Sequence, residues 1–385
     1  MRIGIDAITP GGAVFFTRGG VLTHLLNLLR ALSSVAPQNE YLVFAGQAAS
    51  ESVGDLDGVT IVNCPGVPKS QVGRVVYEQS IYPGLIRKRG VDVFLGMSNI
   101  LPMVLSCPTV VALQTLQFFY FPESYRPLRR AYLRCLVPWS LRRASAVIAV
   151  SEYERQDAIR LMRLNASKIV TVHHGVASSW GDSTADPPSV VSSVRKFLDR
   201  APYILSVSTL YHFKNYRRLI EAFASLKRQY RIPHHLIIAG SDGDYAACEL
   251  QSFADSCGVG EHFICTGRLD EGQLRCMYRG ADLMVYPSLY ETFGLPLLEA
   301  MASGCPVVAS RASCLPEVGA DAAEWVDPRD PADIARGIYR VLSQEGLRDE
   351  LIGRGRSRAR EFTWKKTAVE TLQVLQAAAL GKAIQ

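Results

Sequence analysis

The chain predicts an α/β protein made of two doubly wound units, each a parallel sheet flanked by helices. Three observations lead there. Short apolar runs alternate with stretches of helical spacing through both halves. A polar, Pro-rich stretch near mid-chain, from Ser178 to Pro188, interrupts that alternation. The length of 385 residues also exceeds what one hydrophobic core serves, at about 100–200 residues per domain.

In the first half, apolar runs at residues 2–5, 42–44, 59–62, 91–95, 109–112 and 146–150 read as strands. Behind the first of them, Arg18-Gly19-Gly20-Val21-Leu22-Thr23-His24 opens a helix through Leu25, Leu29 and Leu32. Glycines at such a turn let a ligand approach the backbone closely, although a Gly-Gly pair also simply makes turns. In the second half, strands are expected at 203–207, 236–239, 263–265, 283–286 and 307–309. Between the first two, residues 216–230 carry Leu219, Ile220, Phe223 and Leu226 at helical spacing, with Asn215 as the expected cap. The first domain is therefore placed at 1–180 and the second at 190–362, with 178–188 as the linker. Ligands of such sheets lie at the carboxyl ends of the strands.

Composition narrows the class. With 48% hydrophobic and 20% charged residues the chain reads as globular and folded throughout. No run approaches the ~20 apolar residues needed to cross a bilayer, and Asp6 interrupts the N-terminal apolar run where a signal peptide would need continuity. Nine cysteines without a Cys-x-x-Cys pair argue against a disulfide framework or a zinc site and suggest packed, reduced thiols in a cytoplasmic protein. His173-His174 has no further ligand at metal spacing, and no nucleic-acid-binding module is present. The net charge is only +6, but Arg126, Arg129, Arg130, Arg134, Arg142 and Arg143 crowd beside Phe118, Phe119, Tyr120, Phe121, Tyr125, Tyr132 and Trp139. Residues 118–143 thus offer either a basic patch for an anionic membrane surface or a solvated helix whose aromatics are core.

One stretch carries the most chemistry: Ser288-Leu289-Tyr290-Glu291-Thr292-Phe293-Gly294-Leu295-Pro296-Leu297-Leu298-Glu299-Ala300. Gly294 and Pro296 end any strand leaving 283–286, and Pro296 suits the start of a helix that Gly304 and Pro306 close. Glu291 is then expected in the loop and Glu299 in the first helical turn. Backbone amides near Gly294 and Leu295 would face an anion, and a carboxylate there can accept two hydrogen bonds from neighbouring hydroxyls. A carboxylate in a first turn also merely complements the helix dipole.

The whole string, continued by Ser303-Gly304-Cys305-Pro306-Val307-Val308-Ala309-Ser310 and Leu315-Pro316-Glu317-Val318, resembles the donor-site motif of retaining glycosyltransferases of family 4. The resemblance extends more loosely over nearly the whole chain. It implies the GT-B architecture, two facing Rossmann-like domains with a nucleoside-diphosphate sugar held mainly by the second. It also implies a last segment, 363–385, that crosses back to the first domain through Trp364 and a helix over 368–380.

Further residues take roles by the same resemblance. Ser208-Thr209-Leu210-Tyr211-His212-Phe213-Lys214-Asn215 resembles the loop in which an arginine and a lysine grip the diphosphate. Lys214 keeps the lysine, whereas Thr209 stands where the arginine is expected. A charge-assisted hydrogen bond is worth about 1.5–3 kcal/mol, so the loss either weakens leaving-group stabilisation or shifts it elsewhere, with Arg268 or a group of the first domain as candidates. Gly267 and Arg268 match the place where main-chain groups hold the base, Gly19 and Gly20 the loop that approaches the donor phosphates or the acceptor, and His24 is either a pocket residue or a helix-face one. Phe293, Gly294, Leu295 and Glu299 complete the donor site. Val110-Val111-Ala112-Leu113-Gln114-Thr115 aligns with a strand end where many relatives carry His-Asp. Gln114 can hydrogen-bond a sugar but cannot accept a proton near neutral pH, which rules out a histidine base at that position.

These readings imply a retaining, metal-independent hexosyltransferase with no cofactor beyond its donor substrate, in which Glu291 and Lys214 are the catalytic pair. Mannose from GDP-mannose is the first donor expected, because the Lys214-Asn215 loop without its arginine looks most like mannosyltransferases. The acceptor would be a glycan or lipid-linked glycan, handled in the cytoplasm or at the inner face of the cell membrane. A non-catalytic sugar-nucleotide-binding subunit is the alternative, suggested by the missing histidine and arginine. A nicotinamide-dependent dehydrogenase fits the sheet pattern, but no Gly-x-Gly-x-x-Gly with a following acidic residue comes after the first strand.

Overall fold

The computed structural model describes residues 1–8, 20–46, 50, 51, 53, 54, 56–68, 70–182 and 201–382. They divide into two compact units, Met1–Gly175 with Thr363–Gln385, and Val176–Phe362.

Among the described residues, unit 1 holds strands β1 (Arg2–Ala7), β2 (Glu40–Ala45), β3 (Val59–Asn63), β4 (Val93–Gly96), β5 (Thr109–Leu113), β6 (Ala146–Ala149) and β7 (Ile169–Thr171). They form one sheet in the order β3-β2-β1-β4-β5-β6-β7, every pairing parallel. A strand covered on both faces is largely apolar, and the middle of β1 is: Ile3 and Ile5 pack on one side. Gly4 faces the other, where a Cβ would meet Phe94 at 2.8 Å and Val91 at 2.9 Å. The helices are α1 (Gly20–Val35), α2 (Gln71–Ser80), α3 (Tyr82–Lys88), α4 (Gln117–Tyr120), α5 (Pro127–Arg143) and α6 (Glu152–Met162). Leu25, Leu28, Leu29 and Leu32 fall on one stripe of α1 and cover the Ile3–Ile5 face.

Unit 2 holds β8 (Tyr203–Val207), β9 (His235–Ala239), β10 (Phe263–Gly267), β11 (Leu283–Tyr286), β12 (Val307–Ser310) and β13 (Glu324–Val326), parallel and in the order β10-β9-β8-β11-β12-β13. Its helices are α7 (Tyr216–Tyr230), α8 (Ala247–Ser256), α9 (Glu271–Gly280), α10 (Leu295–Ala302), α11 (Leu315–Gly319), α12 (Pro331–Ser343) and α13 (Leu347–Ala359). The last helix, α14 (Trp364–Ala379), joins unit 1, where Ala368, Leu372 and Leu375 enter the core beside α1.

Both sheets are doubly wound, with strand order reversing between β1 and β4 and between β8 and β11. Loops leaving neighbouring strands diverge at such a point and open a crevice at the carboxyl edge.

Several expectations need correction. The strands β7 and β13 were not foreseen; each has three residues at a sheet edge, too few to show a period. The segment expected as linker begins with a one-turn 3-10 helix, Ser178–Trp180, whose Trp180 is buried against Tyr278. Residues 183–188 of that linker lie outside the described residues. Asn215 precedes α7 but makes no capping bond; it sits in the left-handed region at φ 67°, which asparagine tolerates. The cysteines are free thiols, but Cys135 and Cys248 are exposed rather than packed.

Candidate functional site

The loops leaving β8 and β11 bring Lys214 and Glu291 together. After β8 the chain turns through a 3-10 helix, His212–Lys214, and stops at Asn215. The Asn215 amide donates to Pro287 O at 3.1 Å and to Pro328 O at 2.6 Å, so it ties this turn to the loop leaving β11. Leu289 N–H donates to Phe213 O at 2.8 Å and stitches the two loops a second time. Across them Lys214 Nζ meets Glu291 Oε1 at 2.6 Å, both side chains almost wholly out of solvent. The Lys214 ammonium also lies 5.1 Å from the Phe213 ring centroid and 5.5 Å from that of Tyr286, contacts that favour a cation over an aromatic face. Burial, with the Glu291 carboxylate adding to it, holds the Tyr286 hydroxyl well above its ordinary pKa.

Glu291 is fixed from its backbone as well: its N–H donates to Ser313 Oγ at 2.9 Å, and its carbonyl accepts from Cys314 Sγ at 3.3 Å. Gly294 follows at φ 90°, a left-handed conformation glycine adopts without strain, and starts α10. A Cβ there would stand 2.7 Å from a Leu315 methyl. Pro296 lacks an N–H and that of Leu297 bonds Gly294 O at 2.9 Å, which leaves Gly294 and Leu295 to supply the donors at this helix start. Phe293 is buried and packs edge-on against Phe362 at 5.8 Å.

Glu299 lies in the second turn of α10, as its fifth residue, not in the first. The helix opens one residue before Pro296, at Leu295, so the dipole has less to do with Glu299 than its sequence position suggests. Its Oε2 accepts from the Tyr278 hydroxyl at 3.4 Å. Burial pushes its carboxyl up to about 7, opposed by the Tyr278 bond.

Thr209 leaves the end of β8, where its carbonyl accepts from Tyr211 N–H at 2.8 Å. Gly240, just past β9, donates to Gly267 O at 2.9 Å and lies so close to the loop leaving β8 that a Cβ would fall 1.8 Å from Ser208 O. Gly267 has φ 70°, and Arg268 beside it is exposed. Reading the sequence for metal ligands passed over two Asp-x-Asp pairs: Asp55-Leu56-Asp57, whose first residue lies outside the described residues, and, in unit 2, the pair Asp242-Gly243-Asp244. Its carboxylates accept from Ala247 N–H at 3.0 Å and His212 N–H at 3.1 Å and so brace the loop beside Lys214. Among the described residues no group of three His, Cys, Asp or Glu side chains is placed to hold a metal ion.

In unit 1, Gln114 leaves the end of β5, with its side-chain nitrogen 3.5 Å from His24 Nδ1. His24 is a buried residue of α1, set edge-on to His174 at 4.1 Å and stacked on Trp364 at 5.9 Å. Burial drives its imidazole down to about 4, so it is neutral. Gly20 is exposed at the start of α1, and Gly19 lies outside the described residues. The carboxyl edge of unit 1 carries a second cluster that sequence reading missed. Asp6 Oδ1 accepts from Ile8 N–H and from the Tyr82 hydroxyl, both at 2.9 Å, and Glu78 is buried nearby. Burial raises Asp6 to about 7 and Glu78, with Asp6 beside it, to about 9.

The arginine-aromatic segment divides between core and surface. Phe118 is core, while Arg129 lies over Tyr125, Arg134 over Phe119 and Arg143 over Trp139 at 5.3–5.6 Å. Arg126, Arg134, Arg142, Arg143 and Leu128, the last 82% exposed, remain at the surface. No helix among the described residues is long and apolar enough to cross a membrane.

Comparison with known proteins places this geometry. Residues 18–180 match the family described as Glycosyltransferase Family 4, and residues 192–358 match Glycosyl transferases group 1. The O-antigen chain mannosyltransferase B of Escherichia coli is 31% identical over 68% of this chain and 68% of its own length. The D-inositol 3-phosphate glycosyltransferase of Xylanimonas cellulosilytica is 29% identical over 60% of this chain and 56% of its own. Among solved structures, sucrose-phosphate synthase from Thermosynechococcus elongatus superposes with TM-score 0.77 at 19% identity, covering 98% of each chain. HepE of Anabaena, solved with UDP and glucose, gives 0.75 at 18% identity over 98% of this chain and 100% of that one. The fold is thus GT-B, with two Rossmann-like units.

Proposed function

The chain belongs to glycosyltransferase family 4, and on that premise we propose that it transfers a hexose from a nucleoside-diphosphate sugar with retention of configuration. The observation that carries the reading is the Lys214–Glu291 pair, an ammonium and a carboxylate held 2.6 Å apart in the crevice at the carboxyl edge of unit 2. A departing diphosphate gains negative charge in the transition state, and a preset cation beside it stabilises that charge without reorganisation. Lys214 is assigned to the diphosphate, together with the N–H donors of Gly294 and Leu295. Glu291 is assigned to the hydroxyls of the transferred sugar and to the positive charge that develops on its ring. Glu299 is assigned to the ribose diol, and Gly267 and Arg268 to the base.

In the proposed step the acceptor hydroxyl attacks the anomeric carbon on the face the diphosphate leaves. The bond to the leaving phosphate oxygen breaks, a bond to the acceptor oxygen forms, and the acceptor proton passes to that phosphate oxygen. No side chain acts as an obligatory base and the step needs no metal, which accords with an amide at Gln114 and a neutral His24. Gln114 is assigned to hydrogen-bond a sugar on the acceptor side.

Mannose from GDP-mannose is the donor we favour, supported by the mannosyltransferase relatives and by the arginine-free Lys214 loop. The acceptor class is a glycan or lipid-linked glycan. A cytoplasmic protein resting on an anionic membrane through Arg126, Leu128 and Arg134 fits that class. The test is GDP release from GDP-mannose with and without a mannoside acceptor. Release lowered by about 10²–10³-fold in Lys214→Ala supports the assignment. A nucleotide that binds and is never turned over, with UDP-, ADP- and dTDP-sugars equally inert, would make the protein a non-catalytic sugar-nucleotide-binding subunit.

A further inference from the structure

Resting on the role proposed for Glu299, we propose that Tyr278 is a positioning residue that orients the Glu299 carboxylate toward the ribose of the nucleotide. Tyr278 lies in α9 with its side chain fully buried, and its hydroxyl donates to Glu299 Oε2 at 3.4 Å. That is long for an O–H···O bond, as hydrogen bonds at functional sites often are before the complex forms. The ring is held in place: Trp180 packs edge-on against it at 5.7 Å, and Arg279 Nη2 donates to Trp180 O at 3.4 Å. The helix is anchored from β8, whose Tyr203 hydroxyl donates to Met277 O at 2.7 Å.

The chemistry gives the contact a purpose. An ionised carboxylate accepts hydrogen bonds at both oxygens, whereas a protonated one turns one oxygen into a donor and loses half its fit to a diol. Burial, with the Glu271 carboxylate of α9 adding to it, drives Glu299 toward the protonated form, and the single proton of the Tyr278 hydroxyl, aimed at Oε2, opposes it. Oε2 is thereby fixed, and Oε1 with the remaining lone pairs is left for the ribose. Removing the hydroxyl raises the carboxyl further, so nucleotide binding is lost at a higher pH than in the parent protein.

The experiment is calorimetric affinity for GDP from pH 5.5 to 8.5 in the parent protein, Tyr278→Phe and Glu299→Gln, with UDP, ADP or dTDP used instead where GDP does not bind. Ionisation of the nucleotide's own phosphate is common to all three proteins. The acidic limb is expected near pH 7 in the parent and displaced upward in Tyr278→Phe by about one unit, about tenfold weaker binding on the limb with near-parental affinity at pH 8.5. It should vanish in Glu299→Gln, and the double variant should bind no worse than Glu299→Gln alone. A Tyr278→Phe limb at the parental pH, with affinity lowered uniformly or unchanged, overturns the proposal and leaves Tyr278 a packing residue. Parental binding and an intact limb in Glu299→Gln instead overturn the ribose assignment of Glu299, as does a parent protein that binds none of the four nucleotides.

Discussion

Lys214 Nζ and Glu291 Oε1 stand 2.6 Å apart although 77 positions separate them in the chain. They meet because β8 and β11 are neighbours in the sheet, with Leu283 beside Ile204 and Met284 beside Leu205, and their loops leave on the same edge. Asn215 and Leu289 then lock the two loops together.

The first prediction concerns that pair. Removing one partner strands a buried charge, which costs about 3–5 kcal/mol. Lys214→Ala and Glu291→Ala should each destabilise in urea by that order, and the double variant by clearly less than the sum. Transfer by Lys214→Ala should fall by about 10²–10³-fold, the cost of removing one preset donor to developing negative charge. Additive stability losses would mean that the two side chains do not interact.

The second concerns pH. Asp6 and Glu78 have folded values of about 7 and 9 against ordinary values of 3.8 and 4.5, so the native state holds protons the unfolded chain releases. Stability then falls as pH rises through those windows. His24 acts oppositely: it is about 4 when folded against 6.5, so the unfolded chain binds its proton and stability rises with pH up to about 6.5. Above that these carboxyls set the slope, together with Glu154 and Glu299, which burial also raises. The melting temperature should therefore decline between pH 6.5 and 8.5, and Glu78→Gln should flatten the decline. A temperature that rises across this range would contradict the buried carboxyl pair.

The third prediction tests Gly240. Its missing side chain leaves room for Ser208 O, and a methyl there would overlap that carbonyl at 1.8 Å. Backbone cannot swing aside as a side chain can, so Gly240→Ala should cost about 1–3 kcal/mol, the range for overpacking, and displace the loop that presents Lys214. Donor KM should rise together with the loss of melting temperature. Unchanged values for both would mean that the loop has slack.

The fourth concerns the membrane surface proposed for α5. Each basic side chain near an anionic bilayer contributes about 1 kcal/mol, so Arg126→Gln and Arg134→Gln should each weaken binding to phosphatidylserine vesicles about fivefold. Binding should weaken with salt, and Leu128→Asp should lower what persists at high ionic strength. Equal binding to neutral and anionic vesicles would remove this surface from consideration.

The sequence by itself determined the fold class and most of the strands. Their apolar runs are a local property of a strand covered on both faces, and 203–207, 216–230 and 283–286 emerge with the bounds read from the chain. It also determined which residue types were available to the site: a loop carboxylate at 291, a second at 299, a lysine at 214, and an amide at 114 where a histidine was expected. Tertiary structure alone decided how these are used. That Lys214 pairs with Glu291, that Asn215 ties two loops instead of capping a helix, and that Glu299 bonds Tyr278 all depend on which strands lie side by side, and contacts between distant segments leave no period in the chain. The same holds for Asp6 and Glu78, ordinary carboxylates in one dimension whose chemistry is changed by burial. Edge strands of three residues stayed illegible for a simpler reason, since a pattern needs several repeats before it can be read.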